Sequence, residues 1–155
     1  MPAAPSPVPE GYHAVTPYLI ARDASAAIEF YKKAFGAEEV YRLAMPDGRV
    51  GHAELRIGGS VVMLADEFPE MGAKSPAALG GTPVSLLLYV ADSDAVAAGA
   101  VAAGAKVKRP VVDQSYGDRS GTFEDPFGHV WTIATRKENL TPEEISRRAA
   151  AAHGQ

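Results

Sequence analysis

One pattern occurs twice along this chain, and it limits what the chain can fold into more than any other feature. An extended segment is followed by a capped helical segment, a glycine that ends it, and three more extended segments. Gly36 and Gly104 each close a helical segment and each precedes an alanine. The same offset, 68 positions from 36 to 104, lays Ser25 on Ser93, Ile28 on Val96 and Leu55 on Phe123. Each copy therefore reads β-α-β-β-β. A unit this small cannot bury its own sheet face well, so two must combine.

The clearest copy of the closing hairpin is YGDRSGTFEDPFGHVWTIAT, residues 116–135. Strands over 121–124 and 129–135 flank a turn at Asp125-Pro126-Phe127-Gly128, where proline presets φ and glycine avoids a Cβ clash. Alternation sends Val130, Thr132 and Ala134 to one side and His129, Trp131 and Ile133 to the other. In the first copy, residues 12–21 read as a strand, with Pro17 implying an edge or a bulge. Asp23 or Ser25 caps a helix over 26–35, whose Ile28, Tyr31 and Phe35 share one face. Strands follow over 39–44, 50–57 and 60–65, the last two joined by Gly58-Gly59. The second copy has strands over 84–90 and 105–111 around a helix over 95–103, capped by Asp92 or Ser93.

Thr141-Pro142-Glu143-Glu144 has the form of a capping box, which starts a helix over 142–152 outside the repeat. The expected organisation is a flexible tail over 1–11, a first module over 12–67, a patternless linker over 68–83, a second module over 84–135, and a C-terminal helix and tail over 136–155. The fold class is α+β.

The 155 residues are 46% hydrophobic and 22% charged, with a formal net charge of −4 and no block of like charges, so a nucleic-acid surface is not expected. The chain has no cysteine, which excludes disulfides and thiolate chemistry and is compatible with a reducing cytoplasm. No apolar run approaches the ~20 residues of a membrane helix. The start, MPAAPSPVPEG, lacks the basic and apolar regions of a signal peptide. The expected location is the cytoplasm, with no membrane partner.

The doubled β-α-β-β-β unit, FYKKAFG at the end of the first helix and DPFGHVWTI in the last hairpin together resemble the vicinal oxygen chelate superfamily. That superfamily includes glyoxalase I, extradiol dioxygenases and bleomycin-resistance proteins. The likeness covers roughly 12–135. Within it, the sequence is similar to a bacterial branch of glyoxalase-like proteins associated with phosphonate metabolism. The resemblance implies two facing, curled sheets around a pocket, the glyoxalase/bleomycin-resistance fold. It also implies four metal-ligand positions, His, Gln or Glu on the first strand of each half and Glu on the last. Carried onto this chain by the family's spacing, those positions fall on Thr16, Met63 (or Leu64, one residue on), Ser85 and Thr132. None is a carboxylate or an imidazole, and neutral hydroxyls with a thioether do not form a divalent-metal site.

The expectation is therefore a protein with no cofactor or metal that binds a hydrophobic or aromatic small molecule, as in sequestration of a toxin or antibiotic. Tyr18 and Tyr89 share the faces of Thr16 and Ser85, and with Met63 and Leu87 they make a largely apolar lining. Tyr116 and Arg119, in a loop at the hairpin mouth, can stack on a flat ligand; the alternative is that Asp118 and Arg119 pair with each other. His52 and Glu54, two apart on one strand, are the catalytic candidates. They would act as an acid/base pair or, with Glu124, as displaced ligands of a divalent-metal lyase, isomerase or dioxygenase. The alternative for that strand is a polar face in which Glu54 pairs with Arg56 or with a neighbour. His129 is expected to stabilise its turn and Trp131 to pack on the helix of its own half. Unpaired strand edges, and the superfamily's habit, point to a homodimer.

Overall fold

The computed structural model describes residues 3–153, and the chain divides into two compact units, Met1–Gly81 and Thr82–Gln155. Positions 1, 2, 154 and 155 of the expected tails lie outside the described residues. The first unit carries β1 (Tyr18–Ala21), α1 (Ala24–Phe35), β2 (Glu38–Ala44), β3 (Val50–Ile57), β4 (Ser60–Asp66) and a short α2 (Pro76–Leu79). The second carries β5 (Ser85–Tyr89), α3 (Ser93–Ala102), β6 (Lys106–Asp113), β7 (Asp118–Glu124), β8 (Val130–Arg136) and α4 (Pro142–His153). Each unit holds one four-stranded mixed sheet, in the orders β1-β4-β3-β2 and β5-β8-β7-β6. The first strand runs parallel to the last, and the rest are antiparallel. The expected α+β class and the doubled β-α-β-β-β unit are both present.

The two helices are fixed by the same device. Asp23 accepts from the Ala26 N–H at 3.1 Å, and Asp92 from the Ala95 N–H at 3.1 Å. The last strand then reaches back to the first helical N–H: Ala24 donates to Asp66 at 2.7 Å, and Ser93 donates to the Thr135 hydroxyl at 2.8 Å. Each sheet thus satisfies a donor that its helix cannot satisfy itself. This corrects the expected alignment. The caps are Asp23 and Asp92, so Ser25 does not fall on Ser93. At the caps, and at Met63 and Thr132, the offset is one residue longer than at Leu55 and Phe123.

The helix-facing sides of the sheets form the core. In the first unit Leu19, Ala53, Leu55, Val62 and Leu64 are buried, as are Ile28 and Tyr31 of α1. Full burial of a residue such as Leu55 is worth about 1.5–3 kcal/mol. In the second unit Phe123, Trp131 and Ile133 are buried, as are Ala97 and Ala100 of α3. The smaller helix side chains there are matched by the larger ring of Trp131.

Two expected elements differ. The strand over 12–21 is only Tyr18–Ala21. Pro17 has no N–H to donate, and before it Tyr12 closes a turn onto the Pro9 carbonyl at 3.1 Å. The linker is not patternless. It contains a 3-10 turn over Pro69–Met71 and α2, capped by Ser75. Ser75 is fully buried, and its hydroxyl donates to Glu67. Arg49, from the β2–β3 turn, lies 3.9 Å over the Phe68 ring and donates to the Glu67 carbonyl at 3.1 Å.

Candidate functional site

In β3 alternation puts Ala53, Leu55 and Ile57 on the core side, so His52, Glu54 and Arg56 face away from α1. Strand register extends that face: Glu54 stands opposite Met63 and Tyr41, and Met63 opposite Tyr18. Directly opposed residues share a face, so Tyr18, Tyr41, His52, Glu54 and Met63 form one surface.

A hydrogen-bonded chain crosses it. The Tyr18 hydroxyl lies 2.8 Å from His52 Nδ1, and His52 Nε2 lies 2.8 Å from Glu54 Oε2. The Tyr12 hydroxyl donates to Glu54 Oε1 from outside the strand. The Tyr18 and Tyr41 rings flank His52, with centroids at 5.4 Å and 5.6 Å. Glu54 is 5% exposed, so its carboxylate would be costly unless partnered. Burial alone pushes its pKa up, but hydrogen bonds from Tyr12, His52 and Tyr41 outweigh it and hold the carboxyl below its ordinary value. Burial, and then the charge of Glu54, raise the Tyr18 phenol. Glu54 itself, through its hydrogen bond, raises the Tyr12 and Tyr41 phenols. All three tyrosines are therefore held as neutral donors around one carboxylate. The bonds to Glu54 thus come from Tyr12 and from His52, the other member of the expected acid/base pair. Composition could not show that Tyr12, six positions ahead of β1, closes the same network.

The four positions implied for metal ligands do not fit a divalent ion. The Thr16 hydroxyl donates to the His13 carbonyl at 3.1 Å, and Thr16 precedes β1. Met63 is half-buried in mid-face, Ser85 is exposed at the start of β5, and Thr132 lies 3.3 Å from the Thr122 hydroxyl. Their donor atoms are three hydroxyls and a thioether. Among the described residues, no three His, Cys, Asp or Glu side chains gather so that they could hold a metal ion. Glu124 lies 3.6 Å from Lys108, away from His52 and Glu54 in sequence and in module.

In the second unit Leu87 stands opposite Thr132 and Tyr89 opposite Ala134. They are 50% and 63% exposed. Beyond Tyr89 a cleft of about 780 Å³ opens, lined by Tyr89, Tyr116, Asp118, Thr135, Arg136 and, from α4, Ile145. The structure thus brings Tyr89 and Tyr116 together, but Arg119 is a correction. It lies in β7 rather than in a loop, on the α3 side with Phe123. It donates to Asp94 at 2.7 Å and to Asp113 at 3.2 Å, and these bonds raise its pKa. It therefore neither joins Tyr116 nor pairs with Asp118. The residue that does line the cleft, Asp118, shares strand parity with Ser120 and Thr122, a signal the sequence carried. Trp131 is core as expected, 3% exposed, and its Nε1 donates to Asp125 at 3.0 Å. The backbone N–H of His129 donates to the same carboxylate at 3.0 Å, a bond that does not involve its ring.

A doubled β-α-β-β-β fold with these two sheet faces defines a class, and the chain belongs to it: the family model of the glyoxalase/bleomycin resistance protein/dioxygenase superfamily matches residues 12–133. An uncharacterized protein of Mycobacterium tuberculosis is 47% identical over 135 residues, covering 85% of this chain and 79% of that one. The X-ray structure of an Arabidopsis thaliana gene product matches with a TM-score of 0.63 at 31% identity, covering 79% of this chain and 98% of that one. The fosfomycin resistance protein FosX of Listeria monocytogenes, solved with Mn(II) and sulfate, shares the fold at a TM-score of 0.62 and 19% identity, covering 85% and 95%.

Proposed function

We propose that this is a metal-free member of the superfamily that binds a hydrophobic or aromatic small molecule and holds it rather than converting it, as in sequestration of a toxin or antibiotic. One observation carries the reading. The family's ligand positions hold Thr16, Met63, Ser85 and Thr132, and Glu54, the carboxylate opposite Met63, is already engaged by Tyr12, Tyr41 and His52. A metal would have to strip Glu54 of donors that offset its burial. Among the described residues no three His, Cys, Asp or Glu side chains gather so that they could hold a metal ion. Beside His52, Glu54 and Arg56, the faces carry Tyr18, Tyr41, Met63, Leu87 and Tyr89, suited to planar or apolar ligands with a few polar groups.

The test is a thermal-shift screen of aromatic and apolar small molecules in the presence of EDTA. Binding stabilises by RT ln(1 + [L]/Kd), so a ligand at ~100 Kd adds about 2.7 kcal/mol. Hits that persist in EDTA, and that weaken in Tyr18→Ala or Leu87→Ala, support the reading. Stabilisation that appears only when a divalent ion is added would overturn it.

The chain Tyr18–His52–Glu54 favours a second reading, acid–base catalysis. With Nε2–H donating to Glu54, His52 Nδ1 accepts from Tyr18, which would leave the exposed Tyr18 oxygen free to accept a proton as His52 draws away its own. This reading expects turnover of a ligand from the screen to fall in both Tyr18→Phe and Glu54→Gln. Ligand recovered unchanged after long incubation with the wild-type protein would exclude it.

A further inference from the structure

Asp118 is 8% exposed, lines the cleft of the second unit, and makes no side-chain hydrogen bond or ion pair among the described residues. Its oxygens are not sealed off: among the described residues Ser93 Oγ is the buried side-chain polar atom left without a partner, so the Asp118 carboxylate reaches the cleft, where a ligand can meet it. A candidate partner is close. Arg136 stands directly opposite Asp118 in the β7–β8 register and lines the same cleft. Side chains so paired have Cβ atoms about 4.5–5.5 Å apart. Yet Arg136 turns to Asn139, donating to its Oδ1 at 2.6 Å, and makes no ion pair with Asp118. An acid and a base thus sit side by side at one cleft without neutralising each other. Around them lie apolar and aromatic surfaces, Tyr89, Tyr116 and Ile145.

We propose that this cleft binds a zwitterion, a ligand with an ammonium and a carboxylate on neighbouring atoms and an aromatic or apolar body. The ammonium meets Asp118, the carboxylate meets the guanidinium of Arg136, and the body lies against Tyr89, Tyr116 and Ile145. The fork of an arginine suits a carboxylate, and a buried aspartate suits a cation with several N–H donors. The Asn139 contact is exposed, so it is readily exchanged for a ligand oxygen. This deepens the reading of the chain as a binding protein and rests on it.

The probes are L-phenylalanine, 2-phenylethylamine, which lacks the carboxylate, and 3-phenylpropionate, which lacks the amine. Calorimetric titration of the full chain is expected to show phenylalanine binding at least about tenfold more tightly than either analogue, a charged hydrogen bond being worth about that much. Asp118→Asn should bring phenylalanine down to the level of phenylpropionate, and Arg136→Gln down to the level of phenylethylamine. Arg136 is exposed, so its variant tests the proposal even if Asp118→Asn fails to fold. Three analogues of equal affinity, no detectable phenylalanine binding at millimolar concentration, or indifference to Arg136→Gln would each overturn it. Neutral aromatic ligands found by the screen would still stand in that case, so failure here is separable from failure of the binding role.

Discussion

Asp125 ties its turn to the core. It is 3% exposed and accepts bonds from the Phe127 N–H at 2.9 Å, the His129 N–H at 3.0 Å and Trp131 Nε1 at 3.0 Å. Bonds to a charged acceptor are worth about 1.5–3 kcal/mol each, and removing the acceptor leaves buried donors unmet. Asp125→Ala is therefore expected to cost about 3–5 kcal/mol in urea unfolding, with the Trp131 fluorescence shifted to the red. A cost under ~1 kcal/mol would show that water replaces the carboxylate. Glu54 leads to a pH prediction. Its folded pKa is depressed, so its contribution is fully present above the unfolded carboxylate value of about 4.3 and is lost as pH falls through the lower folded value. In Glu54→Gln the melting temperature should fall less steeply below that pH than in the wild type; parallel curves would remove Glu54 from the acid limb. At this scale the turn aspartate and the inward Trp131 were legible from Asp-Pro-Phe-Gly and from alternation. Their bond to each other was not, because it depends on a ring orientation that a linear pattern does not carry. Arg119 was misplaced for a similar reason: Asp94, its partner, is 25 positions away on α3.

Among the elements, the strand pair β6–β7 is held by a close backbone approach. A Cβ on Gly121 would lie 2.9 Å from the Arg109 carbonyl oxygen and 2.9 Å from the Val111 nitrogen, where the β6–β7 register is irregular around Pro110. Backbone does not yield as a flexible side chain does, so Gly121→Ala should cost about 1–3 kcal/mol. A neutral result in chemical denaturation would mean that the β6 bulge relaxes. The helix α4 is the opposite case. It has no fully buried residue, and its ties are exposed: Arg148 to Glu138 and Glu144, and the Thr141 hydroxyl to the Glu144 N–H at 3.2 Å. Arg147 and Arg148 hold the Glu144 carboxyl down to about 2, yet such exposed pairs contribute little. Truncation after Asn139 should leave both sheets folded by circular dichroism, with a small drop in melting temperature, while removing Ile145 from the cleft. Collapse of the fold would contradict this. The helix was legible from its capping box, as was the repeat from its glycines. The linker's turns were not, because four residues are too few to show a period.

For the whole molecule, the doubled unit leaves β1 and β2, and β5 and β6, as edges of their sheets, and unpaired edges favour association. A homodimer is accordingly expected in sedimentation at micromolar concentration; a monomer alone would refute it. Membership of the superfamily was legible from the repeat and the last hairpin, because those features are the fold itself. The binding role is a different matter, since one scaffold carries both metal enzymes and metal-free binders. It rests on which atoms occupy four positions and on what already satisfies Glu54. The most direct measurement is the elemental metal content of the purified protein after incubation with Ni²⁺, Zn²⁺ or Mn²⁺ and exhaustive dialysis. The account predicts far less than one ion per chain for each metal and an unchanged melting temperature. One divalent ion retained per chain, with a raised melting temperature, would contradict it.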